Sequence, residues 1–276
     1  MKLTTEDFEF IRQLVKNHSG IDLGLDKAYL AEARLAGIAR MQRLGSLSEL
    51  VAQLRTLSSS SLLMREVGEA MLIAETSFFR DIHPFDMLRL TVLPELIIRH
   101  AGRRRLRIWC AACSSGQEPY SIAMLIREHF PQLAGWDIKI IATDISHTIL
   151  ERAREGRFNQ MEVGRGLPAP LLVRYFSRKG LNWYANDEIR RMVTFEYMNL
   201  SNPAGKQREM DVVFLRNVLI YFDAPLKKAI LQRVRQSMHA DGYLFLGSSE
   251  TTVYLDTRFK PVRMHNSLCY RLHAST

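Results

Sequence analysis

Near residue 105 the apolar pattern of this 276-residue chain changes period, and that change limits the folds open to it. Before it, apolar residues recur at helical spacing. Phe8, Ile11, Leu14 and Val15 share one face of a helix that Thr4 or Thr5 can cap and Gly20 can stop. A second helix is expected from about Lys27 to Leu44. Ser46-Leu47-Ser48-Glu49 is a capping-box pattern opening a third, and a fourth runs from about Leu62 to Ile73. Residues 1–75 thus read as a small helical bundle. After it, apolar strands alternate with helices. Leu106 to Ala112 is a strand, Glu118 to Phe130 a helix and Asp137 to Thr143 a strand. Ser146 to Arg154 is a helix, Met210 to Leu215 a strand, Leu226 to Met238 a helix and Tyr243 to Gly247 a strand. Such alternation makes a parallel sheet covered on both faces. Lys260 to Leu272 alternates like a hairpin turning at His265-Asn266-Ser267.

Between Arg157 and Tyr197 the rhythm breaks. Prolines, glycines and short β-like runs near Leu181–Tyr184 and Ile189–Phe195 indicate an insertion carrying a small antiparallel element. The expected architecture is α/β, with an N-terminal helical domain over 1–75 and a sheet domain over 76–276. The insertion spans about 160–198.

In open parallel sheets, ligands bind beyond the carboxyl ends of the strands. Here the first strand ends in Ser114-Ser115-Gly116, with a helix N-terminus following, and Asp144 ends the second strand 28 residues after Gly116. A carboxylate there is placed for two ribose hydroxyls. One glycine is not the G-x-G-x-x-G of a dinucleotide fold, and Glu118 at the helix start would repel a diphosphate. A ribose ligand with positive charge fits better, and S-adenosylmethionine, with a sulfonium, an ammonium and no phosphate, is such a ligand. The plainer alternative is that Asp144 caps the helix beginning at Ser146 and Glu118 favours its own helix dipole.

Four segments then carry a resemblance. Thr76-Ser77-Phe78-Phe79-Arg80-Asp81, Ala111-Ala112-Cys113-Ser114-Ser115-Gly116-Gln117-Glu118-Pro119-Tyr120-Ser121, Ala142-Thr143-Asp144-Ile145 and Phe214-Leu215-Arg216-Asn217-Val218-Leu219-Ile220-Tyr221-Phe222 resemble the chemoreceptor glutamate methyltransferases, the CheR family. The resemblance spans nearly the whole chain. It implies a Rossmann-like S-adenosylmethionine-dependent methyltransferase sheet with an N-terminal helical bundle and a small antiparallel β-subdomain. By the same resemblance Thr76, Arg80, Glu118, Asp144, Asn199, Leu200, Arg216 and Asn217 contact the cofactor, S-adenosylhomocysteine is the product, and Arg80 and Tyr221 stand close to the transferred methyl. Ala74 departs from the family's usual Asn, so one cofactor hydrogen bond is missing. The resemblance also implies that Arg40 and Arg43 on the second helix meet the glutamate-rich cytoplasmic helical bundle of a chemoreceptor. By periodicity they lie away from Leu30, Ile38 and Met41. The hairpin between Lys179 and Arg190 is short for a member that binds a receptor's C-terminal tether peptide, so no tether is expected.

Charge and composition leave rivals to weigh. Residues 1–75 carry 9 Lys+Arg against 10 Asp+Glu, so they sum to −1 and the remainder carries +10. A basic surface attracts nucleic acid or an acidic protein alike. An amino-methylating enzyme places Asn/Asp-Pro-Pro-aromatic after the fourth strand, where this chain has Arg216-Asn217-Val218-Leu219, so nucleic acid is not expected as partner. Intact Arg80 and Tyr221 argue against a non-catalytic module. Cys110 and Cys113 lack the second Cys/His pair that zinc needs, so no metal is expected. No stretch reaches the ~18 apolar residues of a membrane span. Three cysteines suit a reducing compartment. A cytoplasmic, monomeric enzyme is the expectation.

Overall fold

The computed structural model of the protein describes residues 2–202, 209–264 and 266–272. The chain divides into two compact units, Met1–Ile73 with Tyr221–Leu226, and Ala74–Ile220 with Lys227–Thr276. The return of 221–226 to the helical unit has no sign in the sequence.

The first unit is built on α1 (Thr5–Ser19), α2 (Ala28–Met41), α3 (Leu47–Arg55) and α4 (Leu62–Ala70). The Thr4 side chain caps α1 by accepting the Asp7 N–H, and Gly20 ends it at φ 78°. Phe8, Ile11, Leu14 and Val15 are all buried. In the capping box of α3 the Ser46 hydroxyl accepts from the Glu49 N–H, while the Glu49 carboxylate accepts from the Ser46 hydroxyl and the Gly45 N–H. α2 ends earlier than periodicity suggests. Its buried stripe is Ala31, Leu35, Ile38 and Ala39, while Met41 is 73% exposed beside Arg40, so Met41 does not lie opposite that arginine. Arg43 sits beyond the helix in the left-handed region, at φ 59°.

The second unit opens with a helical run that the sequence did not mark, α5 (His83–Met87), a π-helical turn over Leu88–Val92, and α6 (Leu93–Arg99). Pro94 lacks an N–H, and the wide turn just before it takes up the mismatch. There follow β1 (Arg105–Ala111), α7 (Gln117–His129), β2 (Asp137–Asp144), α8 (His147–Glu155), β3 (Arg157–Asn159), α9 (Gln160–Val163) and α10 (Ala169–Tyr175). Next come β4 (Phe176–Lys179), β5 (Asn182–Ala185), α11 (Asp187–Arg190), β6 (Val193–Tyr197) and β7 (Met210–Leu215). The chain ends with α12 (Ala224–Ser237), β8 (Met238–Leu246), β9 (Phe259–Met264) and β10 (Ser267–Leu272).

Seven strands form one sheet in the order β6-β2-β1-β7-β8-β10-β9, all running one way except β10, which is antiparallel to both its neighbours. Two expectations are corrected here. The β-like run ending at Phe195 is not part of the insertion. It is β6, the edge strand of the main sheet, paired with β2 from Ile140↔Val193 to Asp144↔Tyr197. The small antiparallel sheet instead begins earlier, at Arg157, in the order β3-β5-β4. Its hairpin closes over the two residues Gly180-Leu181, with Gly180 at φ 61°. The terminal hairpin pairs Met264 with Ser267, and His265 of its expected turn lies outside the described residues.

The strand order reverses beside β1, which has β2 on one side and β7 on the other, and ligands bind at such a switch point. Register sets the heights. Cys110 is level with Ala142 and with Phe214. Asp144 and Arg216 are each two residues further on, so both stand at the level of Ala112 at the strand tips.

Candidate active site

The loop leaving β1 is folded against its preference. Ala112, Ser114 and Gly116 have φ of 57°, 50° and 93°, alternating with ordinary residues. Only glycine takes such a conformation without cost. A Cβ on Gly116 would also lie 3.2 Å from both Ala153 and Phe195, so this glycine serves packing as well as backbone freedom. Asp144 holds the loop, accepting the Ser114 N–H at 2.8 Å on one oxygen and the Ser146 N–H at 3.0 Å on the other. It is not the cap of α8. That is the Ser146 hydroxyl, which accepts from Ile149. The Asp144 carbonyl accepts the Met198 N–H, placing Asn199 and Leu200 beside the same strand tip. Asn199 turns its oxygen onto Ser201, and the Leu200 carbonyl accepts from Arg233.

On the other side of β1, the segment 74–82 runs over the start of α7. The Ser114 hydroxyl donates to the Ala74 carbonyl at 2.8 Å, and the Phe79 N–H donates to the buried Ser121 hydroxyl at 3.0 Å. Phe78 is fully buried edge-on to Phe158 and Phe176. Phe79, Asp81 and Ile82 have φ of 47°, 65° and 24°. Three non-glycine residues at positive φ within four positions store strain, and such strain concentrates at functional sites. Thr76 and Arg80 are half-buried in this segment. Arg80 donates to the Glu75 carbonyl at 2.9 Å. Asp81 pairs with Arg216 and Asp86 with Arg89.

Arg216 joins these pieces. It donates to the Glu118 carboxylate at 3.0 Å, and to the Arg80 carbonyl and Asp81 carboxylate at 2.8 Å each. Its guanidinium lies 5.7 Å over the Phe85 ring. Burial pushes the Glu118 carboxyl above its ordinary pKa, and Arg216, then Arg80, pull it back. Asn217, at φ 58°, follows in a loop whose backbone is gripped by Glu250. Tyr221 ends the one-turn helix Leu219–Tyr221, and its carbonyl accepts from Asp22 within the helical unit. Arg40 and Arg43 are exposed in that unit. Burial raises the Cys110 and Cys113 thiols, holding both neutral. Among the described residues no group of three or more His, Cys, Asp or Glu could hold a metal.

Asp81, Gly166 and Glu250 escaped the sequence reading. Asp81 stood in a quoted motif, and Gly166 was visible only as a loop glycine. A Cβ on Gly166 would lie 2.1 Å from the Phe78 carbonyl.

The residues fit a nucleoside with an amino-acid tail. Glu118 and Arg216 offer an anion and a cation side by side, matching an ammonium and a carboxylate sign for sign. The Arg216 Nε–H is buried with no acceptor among the described residues, so the site holds a donor it does not use internally. The profile of the CheR methyltransferase, SAM binding domain matches residues 74–268, and that of the CheR methyltransferase, all-alpha domain matches residues 6–70. The chain belongs to the CheR methyltransferase family. Its cofactor is accordingly S-adenosylmethionine. Chemotaxis protein methyltransferase 1 of Pseudomonas aeruginosa is 41% identical over 276 residues, covering 98% of this chain and 99% of that one. Chemotaxis protein methyltransferase Cher2 of Pseudomonas putida is 40% identical over 270 residues, covering 96% and 97%. No described helix of this CheR methyltransferase is long and apolar enough to cross a membrane.

Proposed function

We propose that this CheR methyltransferase esterifies glutamate side chains on the cytoplasmic helical bundle of chemoreceptors, working in the cytoplasm as a monomer during sensory adaptation. The observation that carries the reading is Arg80. Its hydrogen bond is to one backbone carbonyl, and the acids nearest it in sequence are engaged elsewhere, Asp81 with Arg216, Glu75 with Arg165 and Asp86 with Arg89. Its remaining donors suit an incoming carboxylate. The names of its relatives support the chemotaxis setting.

Asp144 and the Asn199-Leu200 pair hold the nucleoside end of the cofactor in this reading, and Glu118, Arg216, Asn217 and Thr76 hold its amino-acid end. Bound S-adenosylmethionine supplies a methyl group on a sulfonium, an activated leaving group. The acceptor needs no general base, since a glutamate with pKa ~4.3 is already an anion at neutral pH. What remains is to strip water from it and align it behind the methyl. Charge is neutralised as the methyl moves, so a strong cation fully engaging the carboxylate would favour the ground state. Arg80 and Tyr221 therefore act by directed hydrogen bonds. In the helical unit, Arg40 and Arg43 dock the receptor. The two-residue Gly180-Leu181 turn supports a member that needs no tether peptide.

Methyl-labelled S-adenosylmethionine, incubated with the enzyme and a receptor cytoplasmic fragment, is expected to leave label on the fragment that mild alkali removes. Alkali-stable label, or label only on added nucleic acid, rejects this reading.

A further inference from the structure

Glu250 lies in the loop after β8, outside the four segments quoted above for the resemblance, yet its carboxylate is buried and fully committed. It is 8% exposed. One oxygen accepts the N–H groups of Gly247 at 2.6 Å and Asn217 at 2.7 Å. The other accepts those of Val218 at 2.9 Å and Ile220 at 3.3 Å. Four backbone donors converge on one carboxylate, and three of them belong to the loop that carries Arg216, Asn217 and Tyr221. The Asn217 and Val218 N–H groups find no backbone acceptor among the described residues. Without the carboxylate they would be half-buried donors with no acceptor among the described residues.

Three further facts single out a carboxylate at this place. Asn217 is held at φ 58°, in the left-handed region, which asparagine enters more readily than most residues. An ionised carboxylate only accepts, so it satisfies four donors where an amide would turn its own N–H₂ against two of them. Gly247 has no room for a side chain. A Cβ there would lie 2.7 Å from the Glu250 carboxylate, 2.7 Å from the Asn217 side-chain nitrogen and 2.9 Å from the Asn217 backbone nitrogen. The sequence spends a glycine so that the carboxylate can reach the loop.

We infer that Glu250 is a positioning residue for methyl transfer, fixing the backbone over 217–220 so that Arg216, Asn217 and Tyr221 present their side chains in the productive geometry. It touches none of the reacting atoms. The inference rests on the function proposed above, because the roles of Arg216, Asn217 and Tyr221 belong to that reading.

Glu250→Gln keeps the volume and reverses half of the hydrogen-bonding capacity. With the folded fraction measured by circular dichroism, kcat per folded molecule on a receptor fragment is expected to fall on the order of 10²-fold, the usual cost of misplacing a catalytic group by about 1 Å. A residue acting through the loop also gives non-additive losses. Glu250→Gln combined with Tyr221→Phe should be no more than about threefold slower than the worse single variant. Unchanged kcat with only a lowered denaturation midpoint, or losses that multiply, overturns the inference. If Glu250→Gln does not fold, amide exchange on the wild-type protein decides. The Asn217 and Val218 amides should exchange as slowly as those of β7, and exchange at open-loop rates overturns the inference. If the wild type itself transfers no methyl to the fragment, the acceptor assigned above is wrong. Glu250 is then judged on S-adenosylhomocysteine affinity, which should weaken tenfold or more in Glu250→Gln, and an unchanged affinity overturns its role.

Discussion

Arg216 and Glu118 stand 98 residues apart in sequence and 3.0 Å apart in the structure, one at the tip of β7 and the other in the first turn of the helix after β1. The arginine side chain is 2% exposed, and it also binds Asp81 and the Arg80 carbonyl. One cation thus ties together the strand tip, the helix that follows β1 and the strained segment 79–82. Removing a single partner of such a pair leaves a charge without compensation. Arg216→Ala should therefore lower unfolding stability by roughly 3 kcal/mol in urea titration at neutral pH. Adding Glu118→Gln should restore part of that loss. If the two losses simply add, the pair is not coupled.

Glu118 also sets a pH dependence with two opposite signs. Burial raises its pKa, so the folded cofactor-free protein holds this proton more tightly than the unfolded chain. That contribution to stability is fully present below the ordinary carboxylate pKa of ~4.3 and is lost as pH rises through the raised value. Cofactor binding runs the other way, because an ammonium is held by the anion. S-adenosylhomocysteine affinity should weaken on the acid side, tenfold per pH unit, beginning above the pH at which a free carboxylate protonates. Glu118→Gln should bind about 10- to 100-fold more weakly, as expected for losing a hydrogen bond to a charged group, and without that acid limb. Calorimetric titrations across pH measure both, and a wild-type profile identical to that of Glu118→Gln removes the ammonium contact.

Gly166 governs the segment that carries Arg80. It has φ 85°, and a Cβ there would meet the Phe78 carbonyl at 2.1 Å. Gly166→Ala must move the backbone of residues 76–80 or its own. A cost of about 1–3 kcal/mol is expected from the strained φ, with a fall in kcat that exceeds the fall in folded fraction. Gly102, whose Cβ would meet nothing within 4 Å, provides the control, and Gly102→Ala should change neither. Equal behaviour of the two variants in melting and turnover would mean that the close approach at Phe78 is not needed.

Much of this arrangement was legible because it is local. The apolar runs of β1, β2 and β7 announce a parallel sheet, and the β1 loop and Asp144 sit where strand-tip logic puts them. What escaped is long-range or broken. The helical run His83–Arg99 was hidden by Pro84 and Pro94, residues that ordinarily end helices. β6 was assigned to the insertion because a five-residue edge strand with only Val193 and Phe195 buried looks like any short hairpin strand. Glu118 was legible as a partner for a positive ligand, but its pairing with Arg216 was not, because adjacent strand tips bring together residues far apart in the chain. Glu250 lies 33 residues from Asn217 and resembles any loop acid until its four donors are counted.

The helical unit offers the last test. Arg40, Met41 and Arg43 are exposed together at the end of α2, an apolar side chain flanked by two cations. A glutamate-rich receptor bundle would meet that patch by charge attraction and cover Met41 in doing so. Steering of this kind acts mainly on encounter and weakens with salt. Arg40→Glu with Arg43→Glu should raise KM for the receptor fragment at low ionic strength, and the difference from wild type should shrink as salt is added. S-adenosylhomocysteine affinity should stay as in wild type, since neither arginine belongs to the strand-tip cluster. A variant that loses cofactor affinity while keeping its KM for receptor would assign these arginines to the fold of the helical unit instead.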